Sequence, residues 1–138
     1  MKKLLLLTAA VLILTNCDSW TDCIINNGPQ LNQRVFVTGF SNVYYEDSLN
    51  AEINNDPQDN NYYYYFSVRG LPRGMDYESE GRELFIYGTP QESGRFNLEV
   101  YLHVEAAILY YDENDGPFED GDTLCKDSTS RLYTLTIQ

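Results

Sequence analysis

The chain has 138 residues, with nine Lys and Arg against 21 Asp and Glu, for a formal net charge of −12. A surface this acidic repels nucleic acid and anionic headgroups, which removes both from the set of direct partners. The length is enough for one domain with its own core and too short for several.

The first block stands apart from the fold. Lys2 and Lys3 form a positive start, and Leu4 to Leu14 an apolar run of the length of a secretory signal. That run is shorter than the roughly 20 residues a transmembrane helix needs. Leu14-Thr15-Asn16-Cys17 follows at once. A small or polar pair ahead of Cys at this place resembles the lipobox of bacterial lipoproteins. The resemblance implies a signal peptide over residues 1–16 and a diacylated Cys17 at the mature amino terminus. The lipid would then carry the chain to a bacterial cell envelope, with the outer membrane the expected site and its periplasmic or surface side open. An ordinary signal peptide cut elsewhere is the alternative. Removing Lys2 and Lys3 leaves seven basic residues against 21 acidic ones, so contact with the membrane would come from acyl chains.

With Cys17 lipidated, Cys23 and Cys125 remain. In an exported chain they can form a disulfide that closes a loop of about 100 residues and stabilises by up to roughly 4.7 kcal/mol. Two unpaired thiols are the alternative. Two cysteines and His103 do not complete a structural zinc site.

Asp18 to Gln33 is polar and reads as a tether, so residues 17–33 lie outside the expected domain at 34–138. Arg34-Val35-Phe36-Val37-Thr38 is the first expected strand, continued after Gly39 by Val43-Tyr44-Tyr45. Asp47 to Ile53 points Leu49, Ala51 and Ile53 to one side, as a strand with one buried face does. Asn54 to Asn61 has no period and reads as a loop. Tyr62 to Val68 is a strand with Tyr64, Phe66 and Val68 inward and Tyr63, Tyr65 and Ser67 outward.

Two corners come next. Gly70-Leu71-Pro72-Arg73-Gly74-Met75 and Gly88-Thr89-Pro90-Gln91-Glu92-Ser93-Gly94 each set Pro among Gly, the chemistry of a tight turn. Asp76 to Arg82 is a short edge strand and turn, and Leu84 to Tyr87 is the strand between the corners. Phe96, Leu98, Val100, Leu102 and Val104 then alternate with Asn97, Glu99, Tyr101, His103 and Glu105. This is the cleanest period of two in the chain and marks a central strand. Ala106 to Tyr111 can extend it. Asp112 to Asp122 is an acidic loop, and Arg131 to Ile137 is the last strand, with Tyr133, Leu135 and Ile137 inward. No helical period and no internal repeat occurs after the signal. The fold class that follows is all-β, an antiparallel β-sandwich of about seven strands.

The aromatic strand, Gly-Leu-Pro-x-Gly-Met, Gly-Thr-Pro-x-x-x-Gly-x-Phe-x-Leu-x-Val and the terminal Leu-Tyr-Thr-Leu-Thr-Ile together resemble the bacterial Ig-like domain family, related to cadherin and dystroglycan-type modules. The resemblance covers roughly Val35 to Gln138. It implies an Ig-like sandwich in an extracellular protein and brings no catalytic residues. The chain departs from it by having one copy and an insertion near 107–126.

Three candidate sites follow. The insertion puts Asp112, Asp115, Glu119, Asp120 and Asp122 in one loop, hard oxygens of the kind calcium takes. Cadherin-like relatives often bind that ion between modules; a solvated acidic loop with no cofactor is the plainer reading. In an Ig-like sandwich, Tyr63, Tyr65, Tyr101 and His103 would share one outer sheet face. Rigid rings with polar tips suit stacking on a glycan or docking an envelope or host protein, while cross-strand stabilisation alone is the bland account. Catalysis has little to stand on, because His103 has no recognisable nucleophile beside it in sequence. The expected function is a non-catalytic binding or adhesion module on a lipid anchor. The alternative is a structural accessory or spacer of an envelope complex, and a small hydrolase comes third.

Overall fold

The structure is a computed structural model that describes residues 27–107 and 124–138. Among these residues seven strands form two antiparallel sheets. Their ranges are β1 Gly28–Leu31, β2 Tyr45–Asn54, β3 Tyr62–Arg69, β4 Met75–Glu80, β5 Glu83–Gly88, β6 Gly94–Ala106 and β7 Ser128–Ile137. One sheet runs β1-β2-β5-β4 and the other β3-β6-β7. Four strands in that order facing three is the topology of an Ig constant-type sandwich.

The core follows from alternation. Leu49, Ala51 and Ile53 of β2 and Leu84 and Ile86 of β5 face Leu98, Val100, Leu102 and Val104 of β6 and Tyr133, Leu135 and Ile137 of β7. Each strand gives one side to this layer, and a slip of one residue would turn that whole side outward. Tyr64, Phe66 and Val68 of β3 pack at its margin, the parity expected from sequence.

The Gly-Pro corners close on one another. Thr89 donates its amide to the Gly74 carbonyl (2.9 Å), and Gln91 donates to the Arg73 carbonyl (2.9 Å). Glu92 accepts from the Arg73 amide through its carboxylate (3.2 Å). At the opposite end, the loop before β3 is fastened by its own polar groups. The Tyr64 hydroxyl donates to the Asp59 carbonyl (2.8 Å), and Arg82 pairs with the Asp59 carboxylate.

The sequence reading needs correction at the amino-terminal edge. Gly28–Leu31 falls within the expected tether, yet it is β1, pairing Pro29 with Ile53 and Leu31 with Ala51. The domain therefore begins at or before Gly28. Asn, Gly and Pro hide this strand from propensity, but an edge strand tolerates a proline, and Leu31 is buried against the core.

Residues 34–38, expected as the first strand, form none. Phe36 alone turns inward, while Val35 and Val37 are 88% and 64% exposed. This strap crosses from one sheet to the other, and two of its residues, Arg34 and Val37, converge on the Asp47 side chain. Val37 donates its amide to Asp47 Oδ2 (3.0 Å), and Arg34 reaches both the Asp47 carboxylate and the Ser48 carbonyl. Beyond it, residues 41–43 turn, and Tyr45 opens β2 instead of ending an earlier strand.

Candidate functional site

The outer face of the three-stranded sheet gathers the aromatic residues singled out from sequence. Antiparallel pairing sets Tyr63 opposite Glu105, Tyr65 opposite His103, Ser67 opposite Tyr101 and Arg69 opposite Glu99. On the other side of β6, Ser128, Ser130 and Leu132 of β7 stand opposite His103, Tyr101 and Glu99. All these side chains share one parity and project from one surface. From Tyr63 to Tyr101 the row is about 14 Å long, four strand residues at ~3.4 Å each plus a step across.

Tyr63, Tyr65 and Tyr101 are 59%, 49% and 45% exposed. Tyr65 and His103 stack with ring centroids 6.1 Å apart and planes inclined at 26°. Carboxylates flank the imidazole on both sides: Glu105 Oε1 lies 3.4 Å from Nε2, and Asp127 Oδ2 lies 3.9 Å from Nδ1. Partial desolvation pushes the Tyr65 phenol up from its ordinary value, and the Glu105 charge adds to this. The phenol stays a hydrogen-bond donor at neutral pH. Next to this pair, Ser67, Arg69, Glu99 and Tyr101 line a shallow depression of about 230 Å³. The face can therefore offer rings for stacking, carboxylates that accept hydroxyl hydrogen bonds and a guanidinium that donates.

Sequence parity located the four ring residues. It gave no reason to single out Arg69, Glu99 or Asp127, because a charged residue at an outward strand position looks like ordinary solvation until its neighbour across the sheet is known. The polar cluster around Asp47 was missed for a different reason: its partners include Arg34 and Val37 of the strap, which only the fold brings to β2. Asp47 shares the inward parity of Leu49, and its carboxylate accepts from the Tyr45 hydroxyl (3.3 Å) and the Ser48 amide (2.9 Å) as well as from Val37.

The other expected sites fall elsewhere. Asp112, Asp115, Glu119, Asp120 and Asp122 lie outside the described residues, as do Cys17 and Cys23. Among the described residues no group of three or more His, Cys, Asp or Glu side chains gathers as metal ligands do. Among them, too, no helix is long and apolar enough to cross a membrane.

No family model matches the chain, and no curated protein matches it in sequence. Solved structures do share its shape. An endo-fucoidan hydrolase of glycoside hydrolase family 107 superposes with a TM-score of 0.54 at 11% identity, over 81% of this chain and 14% of that one. A candidate α-galactosidase/melibiase from Bacteroides fragilis NCTC 9343 gives a TM-score of 0.50 at 15% identity, over 83% of this chain and 18% of that one. The chain thus spans less than a fifth of the length of these structures, and its likeness to them is one of fold, a β-sandwich within a much larger protein.

Proposed function

We propose that the chain is a lipid-anchored Ig-like module of a bacterial cell envelope, and that it binds glycan without catalysis through Tyr63, Tyr65, Tyr101 and His103. The observation that carries this reading is the stacked Tyr65–His103 pair standing in an exposed row with two further tyrosines. Sugar rings present C–H faces that stack on aromatic planes and hydroxyls that bond to polar rims, and this face supplies both. A fully apolar patch would suit a protein partner better. Here Glu99, Arg69 and Glu105 interrupt the rings. The likeness to parts of glycoside hydrolases bears on fold only, so the choice of glycan rests on the face itself.

The anchor belongs to the same reading, with Cys17 acylated after removal of residues 1–16. So does a Cys23–Cys125 disulfide. In its support, Cys125 donates its amide to the Asn27 carbonyl (2.8 Å), and the four residues back to Cys23 span at most about 14 Å. The strand order and the paired Gly-Pro corners support a place among bacterial Ig-like modules.

The test is a screen of the full chain against envelope and host polysaccharides, run with calcium and with chelator. Binding that survives chelation and perturbs the Tyr65 and His103 ring signals supports the face. Binding lost with chelator would move the site to the acidic segment at 112–122, and an absence of glycan binding in both conditions would overturn the reading.

A further inference from the structure

Among the described residues, no strand is hydrogen-bonded along the outer edge of β7. β7 pairs with β6 along one side. On its other side, among the described residues, its backbone bonds to the strap only at its end, where Gly39 donates to the Thr136 carbonyl (2.9 Å) and accepts from the Gln138 amide (2.9 Å); from the inner face the Tyr133 hydroxyl donates to the Asn32 carbonyl (2.7 Å) and its ring packs on Phe36. N–H and C=O of one strand residue point to the same side, and this side alternates along the chain. Ser130, Leu132 and Thr134 have the parity of Thr136, so their backbone groups also point away from β6. Among the described residues no backbone group bonds to them. The strap instead leans toward β2, held there by Asp47. A groove of about 380 Å³ is left between Gln33-Arg34-Val35 and Arg131-Leu132-Tyr133-Thr134.

The side chains along this groove are of two kinds. Leu132 and Val35 are 71% and 88% exposed, and both line this groove. Arg131 faces the other way, toward the seam between the sheets, and among the described residues it has no ion pair. A guanidinium with no ion pair among the described residues, on a chain of net charge −12, is a selective feature.

We propose that the β7 edge from Ser130 to Thr134 takes up an extended peptide strand from a partner protein, with an acidic residue against Arg131 and an aliphatic one against Leu132. Backbone pairing would give affinity, and alternate side chains would give specificity. A second copy of this chain is a poorer occupant. Antiparallel self-pairing of this edge would bring two Arg131 side chains toward each other between two strongly acidic bodies, and like charges across strands repel. This inference stands on a different edge from the aromatic face and does not depend on glycan binding.

The probe is a synthetic peptide, acetyl-Thr-Val-Glu-Val-Thr-amide, titrated into the full chain in detergent while amide hydrogen exchange is read residue by residue. Slowed exchange at Leu132 and Thr134 is expected, with binding weakened roughly tenfold by Arg131→Glu or by Lys in place of the peptide's Glu. Arg131→Gln serves as a second variant with an intermediate effect, and unchanged unfolding midpoints establish that both variants fold. No protection at millimolar peptide would overturn the proposal, as would binding indifferent to the Glu-to-Lys exchange. Protection already present in the free chain together with a doubled mass in sedimentation would assign the edge to a second copy and overturn it too.

Discussion

The amide of Val37 donates to the buried carboxylate of Asp47 across 3.0 Å, and this bond decides the path of the amino-terminal strap. With Asp47 as acceptor, residues 34–37 sit against β2. Asp47→Ala would strand the Val37 and Ser48 amides and the Tyr45 hydroxyl at once. A loss of about 2–4 kcal/mol is expected, because each buried donor left without an acceptor costs about 1–3 kcal/mol and some can reach water. Urea unfolding measures it, and the Val37 amide should lose its exchange protection well before the β6 amides do. A loss below half a kcal/mol would show that the strap is held by Phe36 packing alone.

Two glycines with positive φ should respond very differently to alanine. Gly70 has φ +85°, and a Cβ there would lie 2.2 Å from the Asn97 carbonyl oxygen. Gly81 has φ +54° and open space around it. Gly70→Ala is expected to cost about 3 kcal/mol or more, since backbone must move as well as twist, and Gly81→Ala about 1 kcal/mol. Equal midpoints in urea for the two variants would contradict the close approach of the first corner to β6.

Alkaline pH should weaken the fold through its inward phenols. Burial pushes Tyr45 up, with the Asp47 charge next in importance, and burial pushes Tyr64 up, with Asp59 next. Tyr133 is raised by burial as well. In the unfolded chain these groups ionise near about pH 10, while the folded chain keeps its protons to higher pH. Their contribution is therefore complete below that pH and falls as pH rises past it. Unfolding free energy measured between pH 8 and 11 should fall above about 10, and the fall should be shallower in Tyr45→Phe with Tyr64→Phe.

Much of this fold could be read from the chain because one physical signal dominates it. In β6 from Phe96 to Val104 and in β7 from Tyr133 to Ile137 every second residue is apolar, and both strands and their inward faces emerged with the parity the structure has. The tyrosine row followed from the same rule applied to β3. What escaped depends on contacts distant in sequence. Gly28–Leu31 has poor strand propensity and is a strand because β2 offers it an edge. Arg34–Thr38 has good propensity and is not one, because Asp47 takes the Val37 amide and, among the described residues, the β7 backbone pairs with the strap only at Gly39. The rim of the candidate site was hidden likewise, since only the register of β3 on β6 puts Arg69 across from Glu99.

The central claim is that the stacked and exposed rings of the three-stranded sheet are a glycan-binding face. Its most direct test is isothermal titration of a polysaccharide found in the screen into the full chain and into a Tyr65→Ala, Tyr101→Ala variant of unchanged unfolding midpoint. Each side chain lies on the outer face and half in solvent, so the fold should survive. Stacked rings contribute roughly 0.5–1.5 kcal/mol each, so a loss of about tenfold or more in affinity is expected. Affinity unchanged in the variant would contradict the claim and place the binding elsewhere on the molecule.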